Sequence, residues 1–418
     1  MTLDPLETRS SSDREQALFQ KLPSQIAWAK SSTAYFGELF KEISPNNITS
    51  REMLAKIPVT RKSDLSSQQK NHPPFGGLNA TRVANLKRIF QSPGPIYEPQ
   101  GNELDGFRMA RALRSAGFVQ GDLVHNTFSY HFTPGAWMME GGAHALGCCV
   151  FPAGVGQTEL QAITIAQLQP TAYTGTPSFL KIILEKSDEL KLQSSSIQKA
   201  LVSGEALTPS MRAWFINRGI TVVSAYATAD VGLIAYETPE LVSGMIVDEE
   251  IILEIVEPNG MTPLPIGEIG EVVITVFNPD YPLIRFGTGD LSAIDRNSMH
   301  QAAPCGRTNL RIKGWLGRAD QTTKIKGMFV HPSQVGEIMK KHPEIQRARI
   351  IVSGNIGNEE MTLHCVLQNS LDDDLQKLNA RIVDSVREVT KLRATVVFRD
   401  DHLIPQDGKV IEDARTYA

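Results

Sequence analysis

Between residues 103 and 230 the chain repeats one pattern: a stretch with helical spacing, a short apolar run, then a turn. "ELDGFRMARALRSAG" (103–117) predicts a helix closed by Gly117, and "GDLVHNTF" a buried strand after it. "MMEGGAHALGCCVFPAG" runs from helix into strand and "ELQAITIAQLQPTAYTGTP" repeats that order. "SFLKIILEK", "IQKALVSGEAL" and "MRAWFINRGITVVSAYATAD" continue it. Such alternation implies an α/β sheet with mainly parallel strands.

The flanks differ. Residues 12–45 carry apolar residues at helical spacing with one interruption at Pro23, and a short helix capped by Thr49 or Ser50 follows. Near residue 246 short β-rich runs with Pro/Gly turns begin, "MIVDEEIILEIVEPNG" and "GEIGEVVITVF", which predict hairpins in a small β subdomain at about 246–315. After "RIKGWLGRAD" strands and two helices follow in a compact α+β order, long enough for a separate small domain. The expected organisation is an α/β chain with a large N-terminal domain, 1–319, and a small C-terminal domain, 320–418.

At 418 residues the chain exceeds one ordinary core, and 41% hydrophobic with 21% charged residues is ordinary for a soluble protein. A net charge of -4 argues against a nucleic-acid partner. No apolar run approaches the roughly 20 residues of a membrane span, and the polar first residues do not read as a signal peptide, so a cytoplasmic enzyme without a membrane partner is expected. Cys148, Cys149, Cys305 and Cys365 lack CxxC spacing and read as small buried hydrophobes, and the nine histidines show no metal-binding spacing.

Ligand sites in α/β sheets gather at the carboxyl ends of strands, and several glycine-containing polar stretches follow strands here: "VSGEAL" (202–207), "SAYATAD" (224–230), "PLIRFGTGD" (282–290), "GRADQTTKIKG" (317–327) and "PQDGK" (405–409). Asp290, after a Gly-Thr-Gly turn, could accept two hydroxyl protons from a ribose diol, or simply close a polar hairpin. Tyr226 offers a flat face for a base and Asp230 a hard oxygen for Mg²⁺, or the pair marks a strand end and a helix cap. "GRADQTTKIKG" places Arg318, Lys324 and Lys326 near Asp320, and a solvated charged hairpin is its default reading. No single stretch is specific; their order and spacing are.

In that order the stretches resemble the phenylacetate–CoA ligase family of AMP-forming acyl-activating enzymes, over nearly the whole chain. The likeness includes "VHNTFSYHFTPGAW", "PTAYTGTPSFL", "VSGEAL", "SAYATADVG" and "GKVIEDAR", and is most specific from Pro282 to Val335. It implies a carboxylic acid, ATP with Mg²⁺, and coenzyme A as partners, an acyl-adenylate and then a thioester as products, a mobile C-terminal domain, and allows a homodimer. It implies that Asp290 holds the ribose, that Tyr226 stacks near the adenine, and that Gly204, Glu205 and Ala206 line the base. Arg318 would reach the ribose or phosphate, Asp320 would be the hinge, and Lys409 would stabilise charge at the α-phosphate. Tyr130, His131, Phe132 and Trp137 would line the acyl pocket and thiol channel, or be plain core. An aromatic acid such as phenylacetate is the implied substrate.

Two motifs depart from the family pattern. The phosphate loop, close to Ser-Ser-Gly-Thr-Thr-Gly-Lys-Pro in the family, is Ser92-Pro93-Gly94-Pro95-Ile96-Tyr97-Glu98-Pro99 here. The threonine hydroxyls are gone, two prolines lack N–H groups, and Glu98 replaces a lysine. Of the residues implied to form that loop, Ser92 and Gly94 keep their type, and Tyr97 stands in it as a replacement. In "SAYATAD", Ala227 replaces a glycine, Ala229 a hydroxyl and Asp230 the Mg²⁺ glutamate, with Thr228 one place early. Two readings stay open: a ligase with a reworked loop, or a non-ligase descendant binding AMP, an acyl-adenylate or a CoA thioester as a transferase or sensor.

Overall fold

The apolar runs do pair side by side. The computed structural model describes residues 4–258, 260–319, 323–326, 328–330, 332–355, 358–368, 375–405 and 409–415. Strands β4 (Leu123–Asn126), β5 (Cys149–Pro152), β6 (Ala172–Gly175), β7 (Lys199–Val202) and β8 (Thr221–Thr228) lie parallel in the order β5-β4-β6-β7-β8. The sheet then continues antiparallel through β9 (Gly232–Thr238), β10 (Leu241–Val247) and β14 (Arg311–Ile312), giving eight strands.

Period-2 alternation decides which helices cover which face. Ala172, Leu201 and Val223 pack with Met109, Ala112 and Leu113 of α5 (Met109–Ser115) and Met138, Met139 and Ala143 of α6 (Gly135–Ala145). Their neighbours Tyr173, Ala200, Val202 and Val222 pack with the buried residues of α7 (Thr158–Leu168), α8 (Pro177–Glu189) and α9 (Pro209–Ile216) on the other face. Covering both faces is what buries β6 and most of β4 and β7 on either side, including the polar His125, Asn126 and Thr174.

A second sheet, in the order β1-β13-β12-β11, combines β1 (Thr60–Arg61), β11 (Ile251–Val256), β12 (Gly270–Val276) and β13 (Phe286–Ser292). Its core includes Leu18, Leu22 and Ile26 of α1 (Ser11–Ser32) and Phe36 of α2 (Ala34–Leu39). The chain forms two compact units, Met1–Leu316 and Gly317–Ala418. In the second, Ile345–Asn355 and Asn358–Leu367 pair antiparallel and are flanked by Ile411–Asp413 and Thr395–Phe398. Helices Pro332–Lys341 and Leu375–Thr390 contribute Ile338, Leu378, Ile382 and Val386 to its core.

Local expectations are corrected in five places. Pro23 does not interrupt α1, because buried Phe19, Leu22 and Ile26 anchor the helix on either side of it. The helix expected from residue 103 begins at Met109: Asp105 accepts the N–H groups of Met109 and Ala110 at 2.8 and 2.9 Å, and Arg108 takes a left-handed φ of 64°. The β-rich region does not begin as one piece at 246: Ile246 and Val247 end β10 of the large sheet, whereas β11 and β12 form the expected antiparallel hairpin in the other. Gly287–Asp290 lies inside β13 rather than after it. Cys149 is exposed, whereas Cys148 and Cys365 are buried as expected.

Arg285 ties the second sheet together. It is fully buried, grips Glu254 of β11 through two 3.0 Å bonds, and donates to the carbonyls of Ala55 (2.8 Å) and Met261 (2.9 Å). Removing one partner of a buried pair leaves the other charge uncompensated. Arg285→Met should therefore lower the stability of the N-terminal unit by about 3–5 kcal/mol, read as a lower urea midpoint. An unchanged midpoint contradicts this role.

Candidate active site

Asp290 and Tyr226 come from different sheets and meet. The Tyr226 hydroxyl on β8 donates to Asp290 Oδ2 at 2.9 Å, and the Trp315 indole N–H donates to Oδ1 at 3.1 Å. Register breaks sit beside both residues: where β8 passes from Tyr226 to Ala227, β9 passes from Ala235 to Leu233, and where β12 passes from Glu271 to Val273, β13 passes from Leu291 to Gly287, which puts Asp290 in the bulged stretch. Bulges re-aim side chains in this way. Gly289 has φ 76°, a left-handed conformation that a Cβ would strain, and it turns the chain into Asp290. Trp315 was not foreseen from sequence; its only signal was an indole, a donor needing an acceptor, just after the β-rich run.

The loops that follow the parallel strands gather at one end of the large sheet. In "VSGEAL", Ser203 donates to the Ala225 carbonyl at 2.7 Å, Gly204 is exposed with φ 85°, and Ala206 is half-buried. The Glu205 carboxylate, expected along a base, accepts the Ser178 N–H at 2.6 Å in the first turn of α8. Its charge suits a helix N-terminus. At the end of β8, the Thr228 hydroxyl accepts the Val231 N–H at 3.4 Å.

Asp230 is buried and ion-paired through Oδ2 with Lys62, the first residue of α4 (Lys62–Asn71), while its Oδ1 is buried without a hydrogen-bond partner. Strand β1, parallel to β13, carries the chain directly into Lys62. Among the described residues no group of three or more His, Cys, Asp or Glu could hold a metal ion, so Asp230 offers one carboxylate rather than a cage.

The altered loop is a hairpin, β2 (Arg88–Ser92) paired antiparallel with β3 (Ile96–Gln100), with Pro93, Gly94 and Pro95 exposed in the turn. Glu98 does not present a charge at its surface. It is 1% exposed, and both the hydroxyl and the N–H of Ser92 bond to its carboxyl. Burial first, then Asp230, pushes that carboxyl up to about 8, against the pull of Lys62 and of the Ser92 bonds. The buried Tyr281 phenol, whose oxygen has no hydrogen-bond partner, is also pushed up, by burial and by the same two carboxyls. Lys62 is thus one cation facing two acids, and this remote lysine was not foreseen from sequence. Tyr97 is held by its backbone: its N–H and carbonyl pair with the Gln69 amide of α4, each at 2.8 Å.

The segment between β4 and α6 holds Tyr130, His131 and Phe132, and the first turn of α6 holds Trp137. The Tyr130 hydroxyl donates to Glu140 at 2.8 Å and accepts from Asn126 at 2.9 Å, and its ring meets the half-buried Trp137 edge-on at 5.0 Å. His131 is exposed, and Phe132 is 74% exposed with φ 60°. These two are not core, which removes the plain-core alternative for them.

Arg318 and Lys409 belong to the second unit. Arg318 is half-buried at the short strand Gly317–Arg318, and Lys409 is exposed just ahead of Ile411–Asp413. Asp320, the expected hinge, lies outside the described residues. No helix among the described residues is long and apolar enough to cross a membrane.

Residues 104–276 match the model of the AMP-binding enzyme family. The phenylacetate-coenzyme A ligase of Escherichia coli (strain K12) is 30% identical over 356 residues, covering 81% of this chain and 79% of that protein. That of Thermus thermophilus is 29% identical over 343 residues, covering 78% and 75%. A solved 2-hydroxyisobutyryl-CoA ligase, in complex with 2-HIB-AMP and CoA, superposes with a TM-score of 0.82 at 23% identity, over 100% of this chain and 94% of that one, a likeness of fold. Asp290, Tyr226 and the strand-end loops thus lie on the fold of an adenylate-forming enzyme, and at 30% identity over most of both chains this protein belongs to the phenylacetate-coenzyme A ligase family of AMP-binding enzymes.

Proposed function

We propose that this chain is an AMP-forming acid–CoA ligase acting on an aromatic acid of the phenylacetate kind. The observation that carries the reading is the Asp290 carboxylate, buried where the two sheets meet and oriented by the Tyr226 hydroxyl and the Trp315 indole. In the first half-reaction the acid's carboxylate attacks the α-phosphorus of ATP and pyrophosphate leaves. In the second a thiol, that of coenzyme A, attacks the acyl carbon and AMP leaves. Asp290 would anchor the ribose in both. Tyr226 would flank the adenine, beside Gly204 and Ala206, and Arg318 would reach the ribose or phosphate. Lys409 would stabilise the charge that develops at the α-phosphate. The C-terminal unit would turn about Asp320 between the two halves, a domain-scale gate. Magnesium would enter with ATP as part of the substrate, and Asp230 Oδ1, an acidic oxygen without a hydrogen-bond partner, would meet it. The names of the relatives support the aromatic acid, and Tyr130 and Trp137 supply flat apolar faces for it.

The second reading is a binder of AMP, an acyl-adenylate or a CoA thioester. It is favoured by the hairpin, whose Ser92 hydroxyl is taken by Glu98 and whose turn carries prolines where hydroxyls are expected. Burial weakens that objection, because a carboxyl held near 8 is mostly neutral at pH 7 and adds little repulsion.

Calorimetric titration separates the readings. ATP·Mg²⁺ should bind at least as well as AMP, and Asp290→Ala should weaken both about tenfold or more, the loss of a charge-assisted hydrogen-bonding group. AMP binding without ATP binding favours the second reading. Glu98 gives an independent check. With its carboxyl raised from an ordinary 4.5 to about 8, the folded chain holds a proton that the unfolded chain has released, and stability falls as pH rises through that window. The melting temperature of Glu98→Gln should gain on that of the wild type from pH 5 to pH 8.5. A constant difference contradicts the buried, proton-holding carboxyl.

A further inference from the structure

The β2–β3 hairpin has lost the groups that would bind phosphate, yet both of its edges are engaged. Gln91 and Tyr97 face each other across it. Tyr97 turns its backbone outward to Gln69 of α4. Gln91 turns its N–H outward to the carbonyl of Phe132, at 2.9 Å. Pro99, opposite Ile89, is two residues from Tyr97 and so in the same outward register, where a missing N–H breaks no cross-strand bond. Ser92 and Glu98 lock the strands together near the turn. Such a hairpin has few ways to move.

Its second contact is with the same aromatic segment. The Arg88 guanidinium lies 3.8 Å from the centre of the Trp137 ring and donates to Gln100 across the hairpin at 3.3 Å. Trp137 in turn supports Tyr130, which Glu140 and Asn126 hold by its hydroxyl. The hairpin therefore clamps the segment at both ends, by backbone at Phe132 and by Arg88 at Trp137.

We infer that the hairpin sets the shape of the acid's pocket, and that Arg88 is a positioning residue that fixes the Trp137 face against which an aromatic acid lies. The inference rests on the ligase reading of the preceding section. Planar stacking of guanidinium on indole holds the ring's tilt, which a lysine does less well.

The test is steady-state pyrophosphate release by the full chain with phenylacetate, ATP·Mg²⁺ and saturating coenzyme A, for wild type, Arg88→Ala, Arg88→Lys, Trp137→Phe and the double variant Arg88→Ala/Trp137→Phe. Arg88→Ala should raise KM for phenylacetate about tenfold and leave KM for ATP within about twofold, with Arg88→Lys between the two. In the Trp137→Phe background Arg88→Ala should add little, since coupled residues are not additive. If Arg88→Ala does not fold, Arg88→Lys and Trp137→Phe must still shift KM for the acid and spare KM for ATP. Equal effects on both KM values, no effect on either, or full additivity would overturn the inference alone. A wild type that releases no pyrophosphate with any aromatic acid would overturn the ligase reading, and the inference with it.

Discussion

In the proposed ligase, the carboxylate of Asp290 is the group on which the chemistry would depend. It stands on the second sheet, yet Tyr226, which donates to it, comes from the large one. A buried acceptor oriented in this way would meet a diol as a preformed group, without first shedding disorder. Two bulges and a left-handed glycine exist at this junction and break the regularity of both sheets. Arg285, five residues earlier, secures the strand that carries the carboxylate.

Much of the fold was legible because burial on two faces writes itself into sequence as apolar runs at regular intervals. The parallel strands, their crossover helices and the α+β order of the C-terminal unit follow from that pattern. What was not legible depended on distant partners. Pro23 sits within a helix because Leu22 and Ile26 are buried by strands far along the chain. The 103–108 segment is a turn because Asp105 caps a later residue. The pairing of β10 and β11 with different sheets is a matter of topology that local alternation does not carry.

The site divides the same way. The order of glycine-containing stretches disclosed Asp290, Tyr226 and the loop after β7. Trp315 and Lys62 were missed, since each acts through a partner remote in sequence, 25 and 168 residues away. Glu98 shows the opposite error. In sequence it is a charge reversed in a phosphate loop; in the fold it is a buried carboxyl shared among Ser92, Asp230 and Lys62. Burial decides what a charge means, and burial is not a local property.

The central claim is acid activation at the Asp290 site. Isotope exchange between pyrophosphate and ATP, measured with Mg²⁺ and a series of aromatic acids in the absence of coenzyme A, tests it most directly. The account predicts exchange that requires the acid and ceases in Asp290→Ala. Exchange with none of the acids, from a protein that binds AMP, would contradict it and leave a nucleotide or thioester binder on a ligase fold.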